Sequence, residues 1–299
     1  MSIGPDNPMD MALHGEPAPH PAVSGEGRPD NPMFAALHGE LVLHPWRDPH
    51  VASSDAYSLF VARSSAMGWL TEAAENASGG LWGMNDAGQG PGSGSEPSRI
   101  AWFQVSLTEP VPGGRPLPVQ AFLSCAGDVV SRIGTARLRA VQVLLPVPSL
   151  DASSQVSGVM TLLQEAGWFA DGDPRWRTSV RVTLDGGQEP SIRSAAPGML
   201  RWMRGFTQDV FSCDSFSLTD DLTDDLTDDG TALEPAVIDE LWRGPARHRA
   251  TFHGVLTEWS LDALGWLAAF LAEAASRNGV GTPLMLTANR LEGARSPAG

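Results

Sequence analysis

Runs of apolar residues, or apolar residues that alternate with polar ones, predict a sheet in the middle and at the end of the chain. This pattern is typical of β-strands, whose side chains point alternately to the two faces. Turn-forming segments such as Pro112-Gly113-Gly114 separate the runs. The predicted strands cover residues 100–107, 117–124, 138–147, 178–184, 249–256 and 283–287.

Helices are predicted where apolar residues recur every three or four positions. Asp55 can cap the first helix, which we expect to end near Asn76, and Asn278-Gly279 can close the last. A short helix is also predicted after Pro235. The four main predicted helices begin at residues 54–55, 154, 194 and 261 and end near residues 76, 168, 211 and 277.

The elements along the second half of the chain follow a strand–helix–strand order that occurs twice. The segment RAVQVLLPVPSLDA (139–152) resembles RATFHGVLTEWSLDA (249–263) with one residue inserted, and a helix and a strand follow each copy. We therefore predict an α+β fold with an antiparallel or mixed sheet and helices on one face. If the similarity reflects duplication, the fold is a ferredoxin-like sandwich in two copies; the alternative is chance recurrence of strand and cap residues.

A tandem duplication at the N-terminus sets the predicted domain boundary. DNPMDMALHGE (6–16) returns as DNPMFAALHGE (30–40), and only the second copy continues into apolar sequence. Two short copies are too few for a solenoid. We predict a disordered extension over residues 1–29, with Met33 as a conceivable alternative start, and one α+β domain over residues 30–299. Residues 77–98 and 214–233 are predicted to be mobile loops.

Composition allows a sizeable core and narrows the range of functions. The 299 residues are 42% hydrophobic and carry a formal net charge of −15. No arginine-rich face is apparent in the sequence, so a nucleic-acid partner is not expected. All 20 basic residues are arginine, and this excludes a Schiff-base lysine and a Walker-A lysine.

The remaining features favour a soluble cytoplasmic protein without a cofactor. The two cysteines, Cys125 and Cys213, form no CxxC motif, and the first residues lack the pattern of a secretory signal. The most apolar stretch, residues 261–275, is too short to span a bilayer, so a membrane partner is not expected. GxSxG and GxGxxG motifs are absent from the sequence, and no cofactor is predicted.

A metal site is one interpretation of the histidine-rich segment in the second repeat copy. His38, His44, Asp48 and His50 supply imidazole and carboxylate ligands of the kind that zinc and iron bind. The spacing of six residues between His38 and His44 fits neither a helical nor a strand ligand pair. Duplication alone explains several of the histidines, and we favour that interpretation.

An acidic repeat, SLTDDLTDDLTDDG, suggests either a calcium loop or a solvated loop. Its spacing departs from that of an EF-hand, and in a helix its aspartates would place like charges four residues apart. We favour the solvated loop. The aspartates are Asp220, Asp221, Asp224, Asp225, Asp228 and Asp229.

Aromatic and titratable residues supply the other candidate site. Most of the ten tryptophans fall on or beside predicted elements, as core or interface residues do. Trp168 and Trp259 are also candidates for binding a ligand, with His253 and Glu258 as catalytic candidates at a strand-to-helix junction. The competing interpretation makes His253 a hydrogen-bonded histidine of the sheet.

Two functions remain open on this basis. The first is a cytoplasmic binding protein that acts through protein–protein contacts, either as a homo-oligomer or with another partner, through a tryptophan-rich surface. The second is a small-molecule-binding protein or a cofactor-independent or metal-assisted enzyme of specialised metabolism. The second predicts an enclosed pocket lined by Trp168, His253 and Trp259.

Overall fold

The fold is α+β, and its centre is an eight-stranded sheet in which all strand pairs are antiparallel. The computed structural model describes residues 31–47, 55–71, 79–90, 98–108, 111, 114–150, 158–219 and 248–291. The strands are β1 (Asn31–Leu43), β2 (Trp82–Gln89), β3 (Arg99–Leu107), β4 (Gly134–Leu145), β5 (Thr178–Asp185), β6 (Phe211–Thr219), β7 (Arg249–Leu256) and β8 (Leu284–Arg290).

Five α-helices connect these strands within the described residues. Asp55 caps the first helix, since its carboxylate accepts a hydrogen bond of 2.7 Å from the Ser58 amide. Ser260 caps the last in the same way, at 3.1 Å from the Ala263 amide. The helices are α1 (Ala56–Ala66), α2 (Val119–Ile133), α3 (Val159–Ala170), α4 (Ser191–Arg204) and α5 (Leu261–Arg277).

The strand order, β2-β3-β1-β4-β8-β5-β7-β6, consists of two equivalent halves. The first half runs β1-α1-β2-β3-α2-β4 along the chain, and the second runs β5-α4-β6-β7-α5-β8. Each is a βαββαβ unit of ferredoxin-like topology, with its fourth strand at the inner edge. The units join where β4 pairs with β8, and α2 packs against α5. We call this junction the seam, and both units contribute residues to it.

The main core lies between the sheet and the helices, because apolar residues of all five helices belong to one buried cluster with one face of the sheet. A second, small apolar cluster lies on the other face. It contains Phe34, Ala36, Leu144 and Met285, with Trp102 packed against it. No helix among the described residues is long and apolar enough to cross a membrane.

The prediction of a strand over residues 117–124 is wrong, because this segment lies mostly in α2. The buried residues of α2 follow helical spacing over its whole length, and an eight-residue window hides that period. They are Val119, Phe122, Leu123, Cys125, Ala126, Val129, Val130 and Ile133.

The predicted loop over residues 77–98 contains an edge strand, β2. Its sequence is WGMNDAGQ, which has little strand propensity, and pairing with β3 holds it in place. Trp82 is fully buried at its start and lies among the aromatic rings of Phe60, Trp69 and Phe122. Tertiary packing therefore overrides the glycine-rich local sequence.

Other predictions need smaller corrections or lie outside the described residues. The first helix ends at Ala66 and not near Asn76, and α4 ends at Arg204, before β6 begins. The sequence repeat aligns β4 with β7, whereas the topology makes β4 equivalent to β8. The predicted N-terminal extension (1–29), the six aspartates of the acidic repeat (220–229) and the helix after Pro235 fall outside the described residues. The first six residues of the predicted mobile loop over 214–233 belong to β6, which extends to Thr219.

Candidate functional site: an arginine-lined gap in the sheet

Among the described residues, a gap one strand wide opens in the sheet after β8 and Leu291, the residue that follows it. On one side β8 pairs with residues 140–145 of β4, and on the other with residues 180–185 of β5. Both neighbours extend further, β4 back to Gly134 and β5 back to Thr178. Because adjacent strands lie about 4.8 Å apart, the space beyond Leu291 has, in the part of the chain that the structure describes, the width of one extended chain.

Arginine side chains line this gap, which forms a cavity of about 370 Å³. We call it the arginine cleft and define it by Arg137, Arg139, Arg177 and Arg290. Leu138, Thr178, Ser179 and Leu291 complete its lining. The sequence does not indicate this cluster, since the strand order gathers arginines that are up to 153 positions apart in the sequence.

Only part of this positive charge is neutralised within the described residues. Glu40 of β1 pairs with Arg139 at 3.0 Å, and its other carboxylate oxygen lies 4.0 Å from Arg137. Arg177 and Arg290 form no ion pair with any residue that the structure describes. Arg177 and Arg290 therefore bring positive charge to the lining of the cavity that no described carboxylate neutralises, and this favours the binding of an anion there.

A β-bulge places Arg139 in the cleft. His38 of β1 pairs with Ala140 and the next residue, Gly39, pairs with Leu138, so Arg139 is the extra residue of β4. Gly39 has a φ of 151°, and a Cβ atom at this position would overlap the carbonyl oxygen of Arg137. The bulge therefore requires glycine opposite it.

Two of the residues singled out in the sequence, Glu258 and Trp259, help to build this region. The Trp259 indole donates a hydrogen bond of 3.0 Å to the carbonyl oxygen of Leu138, on the β4 segment that borders the gap. The Glu258 carboxylate accepts one of 2.5 Å from Ser260, the residue that caps α5. Both side chains thus have structural contacts at the start of α5.

An exposed tryptophan lies next to the cleft. A 3-10 turn, Pro174–Trp176, precedes β5, and Trp176 at its end is 60% exposed. Arg177 follows at once and lines both the arginine cleft and a second cavity, of about 490 Å³, between α4, β6 and β7. The rim of the sheet at the start of β5 therefore presents an exposed aromatic ring next to an arginine that lines two cavities.

The thiol of the second cavity, Cys213, is poorly suited to act as a nucleophile. Burial raises the pKa of Cys213 to about 11, although the nearby Arg204 guanidinium lowers it in part. Cys213 is therefore almost entirely protonated at neutral pH, and a nucleophilic cysteine must be a thiolate.

This protonation predicts slow chemical modification. With a pKa near 11 for Cys213 and, again through burial, for Cys125, we expect both thiols to react with DTNB at pH 7.5 more than about 100-fold slower than free cysteine. Stopped-flow absorbance at 412 nm measures the rate, and the urea-unfolded chain, in which both thiols should react at once, is the control. A fast phase in the native protein would contradict the assignment.

The other predicted ligand-binding and catalytic residues lie elsewhere. His253 is half-buried on β7, between Arg181 and Ser215, and its side chain points away from the face that the helices cover. Trp259 packs against the core on the helix side, and Trp168 on α3 is 77% exposed. The structure thus does not bring His253 and Trp259 to one side of the sheet. Neither of the two cavities described above is lined by Trp168, His253 or Trp259, so neither is the predicted pocket.

The metal-site hypothesis can be followed only in part, because Asp48 and His50 lie outside the described residues. His38 is buried within β1, whereas His44 lies just after its end, with Nε2 2.9 Å from the Ser131 carbonyl oxygen. Six residues of extended chain span about 20 Å, so these two histidines cannot bind one ion. Among the described residues no group of three or more His, Cys, Asp or Glu could hold a metal.

Comparison with known proteins adds no assignment to this geometry: the chain matches no protein-family model, and no curated protein is significantly similar to it in sequence.

Proposed function

We propose that this protein is a cytoplasmic binding protein, and that it contacts another polypeptide through the rim of the sheet at the start of β5. The observation that carries the proposal is the exposed Trp176 next to Arg177, an arginine that lines both cavities. Tryptophan and arginine are the residue types that contribute most to binding energy at protein interfaces, especially next to pockets that a partner can fill.

Hydrogen bonds fix the backbone that carries Trp176 and Arg177. Asp173 accepts a hydrogen bond of 2.9 Å from the Arg175 amide and caps the 3-10 turn that carries Trp176. The Thr178 hydroxyl donates one of 2.9 Å to the Trp176 carbonyl oxygen, at the point where β5 begins. Because the backbone of this turn is already fixed, it loses little further entropy on binding, which favours affinity.

Two kinds of partner are consistent with this surface, a second copy of the chain and a different protein. Trp168, near the end of the preceding helix α3, is also exposed, at 77%. Native mass spectrometry of the protein purified from its own host distinguishes the two by mass.

The proposal predicts that Trp176→Ala weakens the association by at least about 30-fold in Kd, the effect of a hot-spot residue. Sedimentation velocity with the copy or partner identified by mass measures the Kd. Tyr57→Ala on α1, which also removes a partly exposed aromatic ring, is the control and should leave the Kd unchanged.

Two results would overturn the proposal. One is a strict monomer from which no partner is recovered in the native host. The other is a complex that Trp176→Ala and Tyr57→Ala leave equally intact. A stoichiometric organic ligand or metal in the same spectrum would favour the alternative function, a small-molecule-binding protein or enzyme.

A further inference from the structure

We propose that the arginine cleft binds an extended, acidic peptide segment of the partner, with carboxylate side chains against Arg177 and Arg290. This inference rests on the proposed function and adds the chemistry that the partner must present. It follows from three features of the described residues: the width of the gap, the backbone at its border and its charge.

The shape of the gap fits an extended polypeptide. It lies between β4 and β5 in the line of β8, and it is as wide as the strand that ends there. Peptides that extend a sheet in this way occupy a strand position and take their affinity from main-chain hydrogen bonds.

The backbone at the border offers such hydrogen bonds. At the closed end of the gap, two carbonyl oxygens already accept hydrogen bonds. The Leu138 carbonyl accepts one from the Trp259 indole, and the Ser179 carbonyl accepts one from the Leu291 amide. Further out, residues 134–137 of β4 pair with β1 on one side only and have no described strand on the other. This segment supplies both amide donors and carbonyl acceptors to a second chain.

The charge of the cleft determines which side chains the bound peptide must carry. The guanidinium groups of Arg177 and Arg290 have no ion-pair partner among the described residues, whereas Glu40 pairs with Arg139 and lies near Arg137. A guanidinium group binds a carboxylate or a phosphate through two parallel hydrogen bonds. The arginines can therefore bind either anion. The open backbone groups of residues 134–137 decide whether the anion belongs to a peptide or to a nucleic acid.

A peptide uses this edge better than a nucleic acid does. The phosphate–sugar backbone of DNA has no donor to match the carbonyl groups of residues 134–137, whereas a peptide has one at almost every residue. The net charge of the chain, −15, also repels a long polyanion outside the small basic cleft. The features of the site together favour a short acidic peptide.

Fluorescence anisotropy of the full chain with a fluorescein-labelled, end-blocked hexaglutamate peptide tests this inference. At low salt we expect saturable binding, and we expect the double variant Arg177→Gln/Arg290→Gln to weaken it by at least about 10-fold. Arg175→Gln is the matched control: Arg175 is a neighbouring, exposed arginine that pairs with Asp173 at 2.6 Å and does not line the cleft. It should change the Kd less than about twofold.

Four outcomes would overturn the inference: no binding of hexaglutamate, equal binding by the double variant, tighter binding of labelled dT6 or of inorganic phosphate, and binding only after removal of residues 292–299. The last would assign the cleft to the tail of this chain. Thermal melts confirm that the variants fold. If hexaglutamate fails to bind while Trp176→Ala still dissociates the complex, the proposed function stands and only this inference falls.

Discussion

Replacing Trp266 with alanine is expected to reduce the free energy of unfolding by about 3–5 kcal/mol, the usual cost of deleting a buried large aromatic side chain. Trp266 lies in the middle of α5 and is 0% exposed. Its indole donates a hydrogen bond of 2.7 Å to the Leu162 carbonyl oxygen in α3. Its ring stacks on Phe270 with centroids 4.8 Å apart. The variant therefore leaves a cavity and also removes the hydrogen bond that joins α5 to α3 at this point.

Urea unfolding followed by circular dichroism measures this loss as a lower midpoint at constant slope. Trp168→Ala is the control, because Trp168 is 77% exposed on α3 and its removal should change stability by less than about 0.5 kcal/mol. Trp266→Phe should fall in between, since it keeps an aromatic ring and loses the hydrogen bond. Equal midpoints for Trp266→Ala and Trp168→Ala would contradict the packing described here.

The contrast between α5 and α2 shows what could be predicted from the sequence. The α5 helix was predicted with its observed bounds because Ser260 marks its start and Asn278-Gly279 its end. The α2 helix begins after Pro118, with no side-chain cap, and its first residues form a short apolar run. A short apolar run fits a buried strand as well as a helix, and only the spacing continued to Ile133 distinguishes them.

The edge strand β2 had no local signal at all. Its glycines and its Asn85-Asp86 pair favour a loop, and it becomes a strand because β3 offers a free edge and the core accepts Trp82. Strand propensity depends on such neighbours, which a single sequence does not reveal.

The arginine cleft could not be predicted for a related reason. Arg137 lies in β4, Arg290 ends β8, and Arg177 directly precedes β5. These three residues line one cavity only because β8 lies between β4 and β5 in the sheet. The sequence repeat suggested a duplication, but it aligned β4 with β7. It therefore did not indicate that β8 lies between β4 and β5. The sequence analysis named Trp168 and Trp259 as candidate ligand-binding residues and did not name Trp176.

Gly265→Ala tests the seam between the two units, on which the cleft depends. In an open helix this change stabilises by up to about 1 kcal/mol, since alanine has the higher helix propensity. At Gly265, however, a Cβ atom would lie 2.5 Å from the Gln120 Cα atom and 3.2 Å from the Val119 carbonyl oxygen, both in the backbone of α2. Because backbone atoms cannot rotate away, α2 and α5 must move apart. We expect a net loss of about 1–3 kcal/mol.

A second helical glycine provides the comparison that separates these two effects. Gly167 in α3 has no atom within 4 Å of the position that a Cβ would take, so Gly167→Ala should gain stability by up to about 1 kcal/mol. The two variants make the same chemical change in two helices, and urea unfolding should move their midpoints in opposite directions. If both midpoints rise, α2 and α5 are not in backbone contact at Gly265, and the seam that joins β4 to β8 is packed differently on its helix side. Opposite shifts would instead show that the backbones of α2 and α5 are in contact at Gly265, on the helix side of the seam where β4 pairs with β8.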